Sequence, residues 1–124
     1  MGGLKIIKKS ARKVYLVLVF ILVVVFYPHF SQANEVYLLE VEEIISPAVS
    51  ELIATTLEKA KQNNSPFIII QLDTPGGLAT AMYQIVKGIL NSPVPVIVYI
   101  APSGARAASA GAIITLAAHI SAMA

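Results

Sequence analysis

The chain has 124 residues, 56% of them apolar, a formal net charge of +2 and no cysteine. That length holds one domain at most, and the absence of cysteine excludes a disulfide-stapled scaffold. The positive balance does not point to nucleic acid. Lys5, Lys8, Lys9, Arg12 and Lys13 all precede the first acid, and residues 34–124, with four cations against seven acids, stand at −3.

In chain order, a basic opening segment gives way to Val14–Tyr27, an unbroken apolar run of 14 residues. Pro28 ends it, and Ser31-Gln32-Ala33 follows, with small residues where a signal peptidase reads. Basic region, apolar core and small-residue site in that order predict a secretory signal over residues 1–33, cleaved after Ala33 or kept as an anchor. The run is short for a bilayer span, which needs about 20 residues. Either way the rest of the chain is expected on the extracytoplasmic side, associated with the membrane.

Val36–Val41 reads as a first strand. Ser46-Pro47 then signals a helix start, a capping hydroxyl before a proline. That helix is expected over Pro47–Gln62, with Val49, Leu52, Ile53, Leu57 and Ala60 on one face. Lys59 and Lys61 near its end suit the helix dipole as solvated charges. Asn63-Asn64-Ser65-Pro66 stops it. Phe67–Leu72 is a short β-branched run suited to a strand buried on both faces. Asp73-Thr74-Pro75-Gly76-Gly77 follows, then a helix from about Leu78 to Leu90 with Met82, Ile85, Val86 and Ile89 inward. Val94–Ala101 is the next buried strand, and Ala112–His119 an alanine-rich helical run. Ile120–Ala124 looks like the opening of one more strand, as if the domain continued in a longer protein. Strands alternating with helices predict an α/β domain with a parallel sheet and crossover helices.

Ligands in such sheets sit at the carboxyl ends of the strands, where both distinctive loops lie. The Gly76-Gly77 pair exposes backbone N–H groups, stiffened by Pro75. The second loop, Pro102–Gly111, carries Ser109 among small residues at a helix start. A hydroxyl there faces the positive end of the helix dipole, and the N–H of Ala110 lies beside it. Nucleophile and oxyanion hole are the minimum for acyl transfer. Taken singly, each feature has a plainer reading: Ser109 as a helix cap and Pro-Gly-Gly as a tight turn. Lys87, three turns along its helix, is expected to point away from the strand ends. Asp73 reads as a carboxylate capping its turn or pairing Arg106, His119 as a helix-end residue, and Ser103 as a turn residue. No metal-ligand spacing and no phosphate loop with a lysine is present, so no cofactor or metal is expected.

Asp73-Thr74-Pro75-Gly76-Gly77, Asn91-Ser92-Pro93-Val94-Pro95-Val96 and Pro102–Gly111 together resemble NfeD-type membrane-bound serine proteases, which share the Clp-protease/crotonase fold. The resemblance implies Ser109 as the nucleophile, with Gly76, Gly77 and Ala110 contributing to the oxyanion hole. It also implies a Ser–Lys dyad whose lysine follows the serine at a distance this sequence does not reach, so residues 34–124 are expected to be a partial protease domain, incomplete at its C-terminal side and inactive alone. A hydrophobic segment of a membrane protein, such as a stomatin-like partner, is the implied substrate, and self-assembly is implied as well. Three other readings stay open: a signal-peptide-peptidase type of the same fold, an acyl-CoA enzyme of the crotonase type, disfavoured by the signal, and an inactive module that binds or scaffolds membrane partners.

Overall fold

The computed structural model describes residues 3–26 and 34–124 and divides the chain into two units, Met1–Gln32 and Ala33–Ala124. The first unit is helix α1, Gly3–Phe26. Its residues 11–24 are exposed. No helix among the described residues is long and apolar enough to cross a membrane. Pro28 and the expected cleavage site at Ala33 lie outside the described residues.

The second unit alternates strictly: β1 Tyr37–Val41, α2 Pro47–Gln62, β2 Ile68–Leu72, α3 Ala79–Leu90, β3 Val96–Ile100, α4 Ala110–Ala117 and β4 Ile120–Met123. The four strands form one parallel sheet in the order β1-β2-β3-β4. Tyr37 stands opposite Ile68, Ile68 opposite Val96, and Ile97 opposite Ile120. The expected α/β class and parallel sheet are therefore what the chain adopts. Strand β3 is shorter than the apolar run containing it because Pro95 and Pro102 bracket it and can donate no ladder bond.

In a sheet of consecutive order, crossovers of the usual right hand put every connecting helix on the same face. Accordingly α2 packs on α3 and α3 on α4. Under them lie Val41, Ile68, Ile70, Leu72, Val96 and Val98 from the sheet, met by Val49, Ile53, Leu57, Met82, Ile85, Ile89 and Ile114 from the helices. Each such side chain contributes about 1.5–3 kcal/mol on leaving water. Among the described residues no element of this unit covers the other face of the sheet. Ile69, Gln71, Ile97 and Tyr99 are half-buried and Leu38 is exposed. The expectation that β2 and β3 are buried on both faces is thus corrected: a single helical layer covers one side of this sheet.

Helix α2 begins as its sequence dictates. Ser46 caps it, accepting a hydrogen bond from the Val49 N–H at 3.3 Å, and Pro47 fills the first turn. Its expected inward face needs one correction: Leu52 is exposed, while Ser50 takes the buried place and donates to Gln84 of α3 at 3.1 Å. In α3, Met82, Ile85 and Ile89 are buried and Val86 is half-buried. Helix α4 starts earlier than the alanine-rich run suggested, directly after Ser109.

Candidate active site

Three loops leave the carboxyl edge of the sheet, after β1, β2 and β3. They are zipped to one another by backbone bonds. The β1 loop meets the β2 loop at a parallel bridge between Ile45 and Gly77. There Ile45 N–H donates to the Gly76 carbonyl at 2.9 Å and Leu78 N–H donates to the Ile45 carbonyl at 2.8 Å. The β2 loop meets the β3 loop at a second bridge, between Thr74 and Ala107. Here Thr74 N–H donates to the Arg106 carbonyl at 2.7 Å and Ala108 N–H to the Thr74 carbonyl at 3.1 Å. Asp73 completes the join, its Oδ1 accepting from the Arg106 main-chain N–H at 3.0 Å. The carboxylate therefore caps a turn, and among the described residues it forms no ion pair with the guanidinium.

Thr74 is the centre of this arrangement, and sequence reading passed over it. It is fully buried. Its hydroxyl donates to the Glu43 carbonyl at 2.7 Å and accepts from the Gly76 N–H at 3.2 Å. Thr74 thus ties all three loops together, the β1 loop through its hydroxyl and the β3 loop through its backbone. The only local signal was a threonine between the strand-end Asp73 and Pro75, and it says nothing about a carbonyl 31 residues away.

Ser109 sits at the cap position of α4 with φ 50° and ψ −112°, and its side chain makes no capping bond. The plain capping role is therefore not the one its hydroxyl performs. A non-glycine residue at positive φ stores about 1–3 kcal/mol, held by its surroundings. The surroundings are glycines. A methyl on Gly76, itself at φ 113°, would stand 2.9 Å from Ser109 Cβ and 3.5 Å from Ser109 Oγ. A methyl on Gly111 would stand 2.5 Å from Thr74 Cγ2, so α4 approaches the β2 loop only because that residue has none. At Gly77 the crowding is with backbone, since a methyl would meet the Ile45 carbonyl oxygen at 2.2 Å.

The direction of the amides follows from peptide planarity. In a trans peptide the C=O of one residue and the N–H of the next point opposite ways. The Gly76 carbonyl points at Ile45, so the Gly77 N–H points away from β1, to the side of the Ser109 loop. The Ser109 carbonyl accepts from the Ala112 N–H at 3.0 Å inside α4, so the Ala110 N–H points out of the helix start. Neither N–H donates to any group among the described residues. The Gly76 N–H, by contrast, is engaged by the Thr74 hydroxyl. The structure thus brings Ser109, Gly76, Gly77 and Ala110 to one edge, with two amides undonated.

The other candidates lie elsewhere. Lys87 is exposed in the last turn of α3, about 13 Å along the helix axis from its cap. His119 sits at the amino edge, where its Nδ1 accepts from the Val96 N–H at 3.1 Å and its own N–H donates to the Val96 carbonyl. Ser103 is exposed in the β3 loop. Among the described residues no group of three His, Cys, Asp or Glu side chains converges as a metal site would require.

Comparison with known proteins locates the arrangement. The family model described as NfeD1b, N-terminal domain, matches residues 35–124. The membrane-bound protease PH1510 of Pyrococcus horikoshii is 45% identical over 91 residues, which cover 73% of this chain and 21% of that protein. The membrane protein NfeD1b of Bacillus subtilis is 33% identical over 91 residues, 73% of this chain and 20% of that protein. Among solved structures, the 1510-N membrane protease specific for a stomatin homolog from Pyrococcus horikoshii superposes with a TM-score of 0.68 at 44% identity, covering 73% of this chain and 45% of that one. A lysine mutant of the 1510-N membrane-bound stomatin-specific protease in complex with a substrate peptide gives 0.70 at 44% identity, covering 73% and 41%. A ClpP1 mutant from Listeria monocytogenes gives 0.58 at 26% identity, covering 65% and 46%, which identifies the sheet and helices as Clp-like. The chain spans about a fifth of the length of the curated relatives it matches.

Proposed function

Because the chain belongs to the family of NfeD1b N-terminal domains, we propose that it carries the nucleophile half of a membrane-associated serine peptidase site. The observation that bears the most weight is the conformation of Ser109, held at positive φ against a glycine, beside two amides with no partner among the described residues. Ser109 Oγ adds to a peptide carbonyl, the new oxyanion is held by the N–H groups of Gly77 and Ala110, and the leaving amine departs to give an acyl-enzyme that water hydrolyses. Gly76 contributes room: its N–H is occupied by Thr74, and any side chain there would collide with the nucleophile. Removing one such donor from a serine peptidase costs about 10²–10³ in turnover.

The proton acceptor is assigned to a lysine outside these 124 residues. Lys59, Lys61 and Lys87 all lie in the last turns of helices that run away from the carboxyl edge. The chain alone is therefore expected to bind but not to turn over. Residues 1–33 are assigned as the export signal or anchor that brings the domain to the outer side of the membrane, in keeping with relatives described as a membrane-bound protease and a membrane protein. The substrate is assigned as an apolar segment of a membrane protein, on the strength of a relative specific for a stomatin homolog.

Labelling with a fluorophosphonate tests this reading. The 124-residue chain is expected to label slowly at Ser109, with labelling lost in Ser109→Ala. Peptide turnover by the unaided chain, abolished in Ser109→Ala, would show that the base lies within it. Complete inertness of Ser109, in this chain and in a longer protein containing it, would overturn the peptidase reading.

A further inference from the structure

The sheet order places the Gly76-Gly77 loop between two others of opposite charge. The β1 loop carries Glu42 and Glu43, both exposed, and no cation. The β3 loop carries Arg106, also exposed, and no acid. Arg106 is moreover the only Asp, Glu, Lys or Arg from Val94 to Ala124. Among the described residues none of the three forms an ion pair. The one ion pair among the described residues is Lys61 with Glu58, near the end of α2; the half-buried Asp73 carboxylate keeps its charge, accepting from the Arg106 main-chain N–H and forming no ion pair with the Arg106 guanidinium. The backbone zipper fixes how far apart these charges ride. Strands are about 4.8 Å apart, so the β1 and β3 loops are separated by about 10 Å, which an extended peptide crosses in about three residues.

We propose that this pair of charged wings selects substrates, so that the site takes an apolar segment whose two flanks are oppositely charged, basic over Glu42 and Glu43 and acidic over Arg106. The inference rests on the peptidase reading and concerns which peptide that site accepts. Complementary charge at the rim of an interface sets register and suppresses the wrong orientation more than it adds affinity. An apolar segment alone offers little to define register, because one methyl-bearing side chain resembles the next. Charges at both ends define it, and like charges meeting in the reversed orientation oppose it.

The test uses three fluorescent peptides sharing a core of apolar residues, with Lys–Lys before and Glu–Glu after it, with the reverse, and with Gln at all four places. Anisotropy titrations are made on the 124-residue chain. One charged polarity is expected to bind about two- to fivefold tighter than the Gln peptide, and the other weaker, on the scale of exposed ion pairs. The ranking is expected to invert in the variant Glu42→Lys, Glu43→Lys, Arg106→Glu, and to flatten in about 1 M salt, where screening acts within about 3 Å. Arg106→Gln and Glu43→Gln, single changes at exposed positions, are each expected to reduce the preference by about half, which keeps the test decisive if the triple variant does not fold. Equal binding of the three peptides, or a ranking that survives charge reversal, would overturn the inference. If the ranking is flat while Ser109 still labels and the Gln peptide still binds, only the charge selection falls. If Ser109 is inert and no peptide binds, the peptidase reading falls with it.

Discussion

At the scale of single residues, the site depends on groups that are absent as much as on groups that are present. Gly77→Ala puts a methyl on top of the Ile45 backbone, where nothing flexible can give way. The expected loss is about 3 kcal/mol, read as a fall in thermal midpoint. Gly76→Ala meets Ser109 Cβ at 2.9 Å and the Ala108 carbonyl oxygen at 3.2 Å, wider than the contacts at Gly77, and asks alanine to hold φ 113°. It is expected to destabilise less, by about 1–3 kcal/mol, while lowering fluorophosphonate labelling of Ser109 at least as much as Gly77→Ala does. Thr74→Val keeps the shape and removes the hydroxyl, leaving the Glu43 carbonyl and the Gly76 N–H without their partner. A loss of about 1–3 kcal/mol is expected in denaturant unfolding, together with slower labelling. The serine and the glycine pair could be singled out as candidates in the sequence because small residues and turn residues mark themselves locally. Thr74 was not, because its role is made of bonds to Glu43, Gly76 and Arg106, which the chain brings close only on folding.

At the scale of elements, legibility followed the local punctuation. Helix α2 starts and stops where Ser46-Pro47 and Asn63 say it does, since a cap and a proline act within one turn. Ser46→Ala is expected to cost about 0.5–2 kcal/mol in thermal unfolding and to leave Ser109 labelling unchanged. Helix α4 carried no such marks. Its alanine-rich sequence favours helix everywhere and fixes no boundary, so the true start at Ala110 depended on the turn forced at Ser109. Strand β4 is tethered at its entrance by His119, whose ring accepts the Val96 N–H. His119→Ala leaves that donor without its protein partner, and a loss of about 1 kcal/mol is expected, again without effect on labelling.

At the scale of the whole molecule, strand order was the information the sequence could not supply. The apolar runs of β2 and β3 look alike whether helices flank one face or both. Only the order β1-β2-β3-β4 decides that all three crossovers fall on the same side. The domain consequently keeps apolar surface at its far edge. All four residues of β4 are exposed, and Leu116 of α4 is 85% exposed. Edge strands of this kind recruit further chain, so the 124-residue chain on its own is expected to self-associate with rising concentration, and Leu116→Glu with Met123→Lys to lower its sedimentation coefficient toward that of a monomer. The bond from Ile45 to the Gly76 carbonyl carries a last consequence. It is Ile45, in the loop after β1 and thus beyond the strand farthest from the serine loop, that orients the peptide unit joining residues 76 and 77. Drawing residue 45 out of register, by tension from the N-terminal side or by a ligand wedged beneath it, frees that unit to rotate. The site proposed here would lose its Gly77 donor through a displacement at Ile45, with Ser109 itself untouched.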